Sequence, residues 1–243
     1  MEKEYLEKLN KKAAHKTLAE AFETLIELRL GKLAFSTSFG QEDQVITDFI
    51  FKNNLPVSVF TLDTGRLFEE TYEVYHKTLR QYKKPITPFF PNAKKVEALL
   101  EAKGPSSFYD SVTNRKECCG IRKVDPLQRA LQGVDVWITG LRGSQSYYRE
   151  RHQVFEFNSS FGLIKFNPLI HWSLEEVITY LNKNKVPQNS LHAKGFASIG
   201  CAPCTRAIEK GEDIRSGRWW WENSKKECGL HQTQIAKSLN RNQ

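Results

Sequence analysis

The chain has 243 residues, 40% hydrophobic and 26% charged, which suits one soluble α/β domain, or one domain with a tail. No apolar run approaches the ~20 residues of a membrane span, and no internal repeat or low-complexity block interrupts the sequence. Cations outnumber acids 36 to 28, a net charge of +8, which favours an anionic partner, either a small phosphorylated molecule or a nucleic acid.

The elements follow in chain order. Residues 15–30 predict an amphipathic helix, with Leu18, Phe22, Leu25, Ile26 and Leu28 near one side and Gly31 as a stop. Lys32 to Ser36 reads as a buried strand, followed by the polar turn Ser36-Thr37-Ser38-Phe39-Gly40-Gln41-Glu42-Asp43 and a helix from Gln44 to Asn53. Pro56 to Leu62 is a second strand running into Asp63-Thr64-Gly65, and 68–82 a helix. Ile86 to Phe90 is a third strand, and Asn92 caps a helix to Ala102. Residues 104–117 read as loop, and Arg122 to Leu131 as a helix interrupted near Pro126. Val134 to Thr139 is a strand ending at Gly140, and 153–157 with 163–166 form a hairpin or edge pair. A helix from Ser173 to Asn184 opens on a Ser-x-x-Glu capping box, Ser173 to Glu176. Regular structure is hard to see beyond Pro187.

Strands alternating with helices predict a mostly parallel sheet flanked by helices, with an irregular C-terminal tail. Such sheets bind ligands beyond the C-terminal ends of their strands, where the polar turns at Ser36–Gln41, Asp63–Arg66 and Thr139–Arg142 all fall. The first turn has hydroxyls, a glycine and the free N–H groups of a helix start, which together suit an anion cradle. It lacks the G-x-x-x-x-G-K-[ST] of a P-loop, and a hydroxyl-rich helix cap is the plainer reading.

Five cysteines carry the strongest signal. Cys118 and Cys119 are adjacent, Cys201 and Cys204 form a C-x-x-C, and Cys228 stands alone in Glu227-Cys228-Gly229-Leu230-His231. Two close pairs allow disulfides, zinc or an iron–sulfur cluster. The chain opens MEKEYLEKLN, with no apolar signal segment, so a reducing cytoplasmic location is expected and disulfides are disfavoured. Zinc knuckles space both pairs by two to four residues, which neighbouring cysteines fit poorly. An iron–sulfur cluster takes four thiolates at separate iron atoms. The lone cysteine suits a nucleophile if basic neighbours lower its pKa.

Eight segments in order, STSFGQED, LDTGRLFEETY, KECCGIRKVDPL, WITGLRGSQS, FNPLIHWS, GCAPCTRAI, GEDIRSGRWWW and ECGLH, cover most of the chain from about residue 34. Together they closely resemble the cluster-containing class of assimilatory adenylyl-sulfate (APS) reductases, in the PAPS/APS reductase family. The first turn resembles the modified pyrophosphate loop of the adenine nucleotide alpha-hydrolase-like superfamily. The resemblance implies a 4Fe-4S cluster on Cys118, Cys119, Cys201 and Cys204, and Cys228 as nucleophile. It implies that Lys123, Arg215, Arg218 and His231 hold the phosphosulfate, although each alone reads equally as a solvated surface charge. Ser36, Ser38, Phe39 and Gly40 would surround the nucleotide, with Leu62, Thr64 and Gly140 at adenine and ribose and Arg142, Arg149 and Arg151 as further candidates.

The implied reaction turns APS into sulfite and AMP, with an S-sulfocysteine on Cys228 and thioredoxin or a similar dithiol as donor. A PAPS or dual reductase is the near alternative. A superfamily nucleotidyl transferase or tRNA-thiolating enzyme would usually carry S-G-G-x-D-S, which this loop lacks. A non-enzymatic iron–sulfur protein would need neither Cys228 nor a nucleotide pocket. The Trp219–Trp221 run is read as packing, and no RNA-binding motif accompanies the basic residues, so neither nucleic acid nor membrane is expected as a partner. A homo-oligomer is compatible with the sequence. The expected organisation is an N-terminal helical segment at 1–30, a nucleotide-binding and iron–sulfur domain at 31–210 and a tail at 211–243 carrying the catalytic cysteine.

Overall fold

A computed structural model of the protein describes residues 3–13, 17–147 and 149–222. Six strands form one sheet in the order β3-β2-β1-β4-β6-β5. They are β1 (Leu33–Thr37), β2 (Val57–Leu62), β3 (Thr87–Phe89), β4 (Val136–Ile138), β5 (Phe155–Asn158) and β6 (Leu163–Phe166). All neighbours are parallel except β5, which runs antiparallel to β6 with Phe155 opposite Phe166. The expected fold class, a single mostly parallel α/β domain flanked by helices, is the one observed.

Alternation along the strands divides the core. Phe35 of β1, Val59 of β2, Val136 and Ile138 of β4 and Ile164 and Phe166 of β6 point to one face. There they meet Phe22 and Leu25 of α2 (Leu18–Glu27), Val45, Ile46 and Ile50 of α3 (Gln41–Lys52), Val74 of α4 (Glu69–Tyr82) and Val177 and Leu181 of α8 (Leu174–Lys183). Ala34, Phe60, Trp137 and Leu163 point the other way, onto Leu127 of α7 (Asp125–Ala130). On this side α5 (Ala93–Lys103) opens on the expected cap, Asn92 accepting from the Lys95 amide.

Helix boundaries follow local chemistry. The helix expected at 15–30 is α2, opened by a Thr17–Glu20 capping box that the pattern reading missed, and a separate α1 (Lys3–Ala13) precedes it. Leu9 and Ala13 of α1 bury in the same core as the sheet. The Ser173–Glu176 box is present as read. Two expectations fail around the first cysteine pair. Residues 104–117 are not all loop: Ser111 caps α6 (Val112–Cys119), which a π turn at Gly120–Val124 joins to α7. Pro126 does not interrupt a helix there, because it sits in the first turn of α7, where its missing N–H costs nothing.

One buried carboxylate ties three helices. Asp48 of α3 is fully buried and accepts from Tyr82 Oη of α4 at 2.6 Å and Tyr180 Oη of α8 at 2.8 Å, and pairs with Lys52 at 2.9 Å. Burial and the neighbouring carboxylate hold both phenols well above the ordinary tyrosine range. Asp48→Ala would take the buried acceptor from two half-buried phenols, while Lys52 keeps water and Asn184 Oδ1, so it should destabilise by about 3 kcal/mol. In this size class that is a fall of roughly 6–12 °C in thermal midpoint, read by circular dichroism.

Candidate active-site cleft

The chain reverses direction across the sheet between β1 and β4, so the loops after these two strands open side by side. A cleft of about 440 Å³ lies there, bounded also by the end of β2, the first turn of α3 and the segments 197–200 and 214–218. Of the sequence-predicted residues, Ser36, Ser38, Gly40, Leu62, Thr64, Lys123, Gly140, Arg142, Arg149, Arg215 and Arg218 line it.

Two candidates do not. Phe39 is buried beneath the loop and stacks on Tyr75 at 4.7 Å, and it holds a left-handed backbone at φ +61°. An aromatic ring in a tight loop is drawn into the core by its apolar area. Arg151 is exposed and reaches Tyr147, donating to its Oη at 3.1 Å. Cys228 and His231 lie outside the described residues.

The first loop is held by its own carboxylate. Asp43 accepts from the amide and the hydroxyl of Ser38, both at 2.6 Å, and Thr37 Oγ1 accepts from the Phe39 amide at 3.1 Å. A Cβ at Gly140 would collide with the Asp43 carboxylate, so the glycine in the β4 loop is what lets the two loops close together. Burial pushes the Asp43 carboxyl up to about 6, against the lowering pull of Ser38. Glu42, next along, pairs with the buried Arg142 at 3.1 Å. The helix start therefore has carboxylates of its own beside the free N–H groups, which the plain anion-cradle reading did not foresee. The wall as a whole sets Lys123, Arg142, Arg149, Arg215 and Arg218 against these two acids, an excess of positive charge suited to a polyanion.

Directly behind the cleft the two cysteine pairs meet. Cys118, Cys201 and Cys204 are buried with Leu99, Phe108 and Trp219 in one small apolar cluster, and Cys119 is half-buried; all four are free thiols. Thr64 links this pocket to the cleft: its hydroxyl lies 3.3 Å from Cys201 Sγ and its carbonyl accepts from Arg122 at 2.7 Å. Burial and the neighbouring Cys201 and Cys119 push the Cys204 thiol up to about 12. Burial also raises Cys201, but Lys123, the Thr64 hydroxyl, Arg218 and Arg66 outweigh it and bring that thiol below its usual value. A group combining cationic centres with anionic acceptor atoms would fit here: the cations would keep crowded thiols ionised, and the acceptors would take the N–H of Arg122 Nε and Arg218 Nε, both buried with no partner among the described residues. No three His, Cys, Asp or Glu side chains among the described residues close on one point as ligands of a single ion. Sequence reading passed over Arg66 and Arg122, although both stand inside the quoted motifs, because an arginine's approach to sulfur has no spacing signature.

Asp43 generates a pH prediction. Its native carboxyl keeps its proton up to about 6, whereas its ordinary value is 3.8, so the native state binds the extra proton between them and loses stability as pH rises through that window. Asp43→Asn removes this component. Its stability relative to wild type should improve by about 2–3 kcal/mol between pH 4 and pH 7, read from urea midpoints.

Comparison with known proteins places this geometry. Over 221 residues the chain is 46% identical to the adenosine 5′-phosphosulfate reductase of Allochromatium vinosum, covering 90% of this chain and 86% of that protein. Its structure is similar to the phosphoadenylyl-sulfate (PAPS) reductase of Candida auris, solved as a phosphate complex, with a TM-score of 0.74 and 29% identity over 86% of this chain and 98% of that one. A fold-level likeness extends to an FMN adenylyltransferase of Candida glabrata, with a TM-score of 0.51 and 14% identity over 88% and 79% of the two chains. Residues 32–207, which hold the strand-end loops of the cleft and both cysteine pairs, match the model of the phosphoadenosine phosphosulfate reductase domain, and the chain belongs to that family.

Proposed function

We propose that the protein reduces APS to sulfite and AMP. The observation that carries this reading is a cation-lined cleft at the switch point of a parallel sheet, set directly against two cysteine pairs, in a chain 46% identical to a named APS reductase. AMP would occupy the strand ends, against Ser36, Ser38, Gly40, Leu62, Thr64 and Gly140, with Arg142 and Arg149 at its charged side. Lys123, Arg215, Arg218 and His231 would neutralise the phosphosulfate oxygens. Arginine suits that task because its planar fork meets two oxygens at once.

The nucleophile in this reading is the Cys228 thiolate. It attacks the sulfur of APS; the bond between sulfur and the bridging oxygen breaks, and AMP leaves with the electron pair. Basic side chains around the reacting group would stabilise the charge that develops on oxygen and lower the thiol's pKa. A thioredoxin-type dithiol then attacks the Cys228 sulfur and sulfite departs with the electron pair. The donor's second thiol closes its own disulfide and frees Cys228, so two electrons come from the dithiol. Cys118, Cys119, Cys201 and Cys204 would hold a 4Fe-4S cluster, whose irons when bound supply the cationic centres that keep these thiols ionised. Residues 1–30 then serve as a helical brace, 31–210 as the nucleotide and cluster body, and 211–243 as the bearer of the nucleophile. Among the described residues no helix is long and apolar enough to cross a membrane. A second reading, PAPS reduction or dual use, has the Candida auris likeness in its favour.

Sulfite release measured with thioredoxin should give a higher kcat/KM for APS than for PAPS; the reverse order would make this a PAPS reductase. Without a dithiol, APS should add one SO3 mass to the peptide holding Cys228, and Cys228→Ser should bind AMP yet fail to turn over. An adduct on another cysteine overturns that assignment.

Anaerobically purified protein should contain four irons and four sulfides per chain, and replacing any one of the four pocket cysteines with Ser should remove most of both. Stoichiometric zinc instead would refute the cluster.

A further inference from the structure

Arg218 sits between the cleft and the cysteine pocket, and its placement depends on a residue with no side chain. Arg218 is buried, donates from Nη1 to the Ile199 carbonyl at 3.3 Å and lies over the Trp219 ring at 4.9 Å. Its guanidinium occupies the space where a Cβ on Gly200 would stand, and all three of the nearest atoms to that point belong to it. Gly200 is not in the left-handed region, so its backbone would accept alanine; only the space requires glycine.

The opposite wall of this slot is braced. Trp219 is buried, takes a left-handed backbone at φ +44° and donates its amide to the Cys204 carbonyl at 3.2 Å. Arg115 of α6 lies 4.6 Å over the same ring and forms a two-pronged ion pair with Glu222, both bonds 2.8 Å and both side chains 3% exposed. A strained turn persists only where the surroundings hold it, and here a ring, a buried ion pair and a backbone bond do so. Trp219 therefore cannot give way if the Gly200 side of the slot fills.

We propose that Gly200 is a positioning residue for the reaction: its missing side chain seats the Arg218 guanidinium at the boundary of cleft and cysteine pocket. The inference rests on the reading above, in which Arg218 holds the phosphosulfate.

Gly200→Ala tests it, alone and with Arg218→Ala. The expected result is a fall in kcat/KM for APS of about tenfold to a hundredfold, the scale of a displaced charged donor. Iron content and the affinity for adenosine, which has no oxyanion, should stay within twofold of wild type, and the thermal midpoint within about 2 °C. Added to Arg218→Ala, the same substitution should cost less than twofold, because its effect passes through that guanidinium. Normal kcat/KM in Gly200→Ala beside a crippled Arg218→Ala overturns the inference and leaves the functional reading standing. An equal loss in both backgrounds, or loss of iron or of adenosine binding, also overturns it, since the damage would then be structural. Wild-type kcat/KM in Arg218→Ala would instead remove Arg218 from the proposed oxyanion site, and this inference with it.

Discussion

Crowded like charge is the constraint on which the site depends. Lys123, Arg142, Arg149, Arg215 and Arg218 share one cleft, all four arginines nearly out of water and Lys123 half-buried, and cations so placed repel each other and lose hydration. The chain answers part of this with Glu42 on Arg142 and with Asp43 nearby. The cysteine pocket is the complementary case: burial and neighbouring cysteines make Cys118 and Cys204 resist ionising, while the cations facing Cys201 draw that thiol the other way. Setting the two groups back to back, with Lys123, Arg122 and Arg218 between, lets each ease the electrostatic cost of the other.

The fold makes that arrangement reachable. Neighbouring strands in a parallel sheet end at the same edge, so the loops after β1, β2 and β4 meet although they are about a hundred residues apart in sequence. Thr64 at the end of β2 then touches both worlds, lining the cleft while its hydroxyl meets Cys201 and its carbonyl takes Arg122. The Ser38–Asp43 bonds and the small Gly140 keep the first and fourth loops apposed. The distant Asp48 knot holds α3, α4 and α8 as one support for that loop.

Much of this was legible in the residues. Strands stood out by apolar runs between turn residues, and the Ser173 box by its spacing, because these signals act over a few residues. α6 did not, since VTNRKECC has no apolar period; what makes it a helix is the Ser111 cap and the burial of Cys118 against Leu99, Phe108 and Trp219. Phe39 and Arg151 lie off the cleft wall for a related reason. Membership of a loop says nothing about whether a side chain turns into the core or out to solvent.

By itself, then, the sequence determined the residue types and their order: the hydroxyl-rich turn, the arginines, the two cysteine pairs and the alternating pattern that implies a parallel sheet. Only the tertiary structure decided which of them meet. Local rules reach three or four residues along a helix or two along a strand. The contacts of Thr64 with Cys201, Gly140 with Asp43, Arg115 with Glu222 and Gly200 with Arg218 join residues that are between 18 and about 140 positions apart. Such encounters are set by packing of whole elements, and no local pattern encodes them.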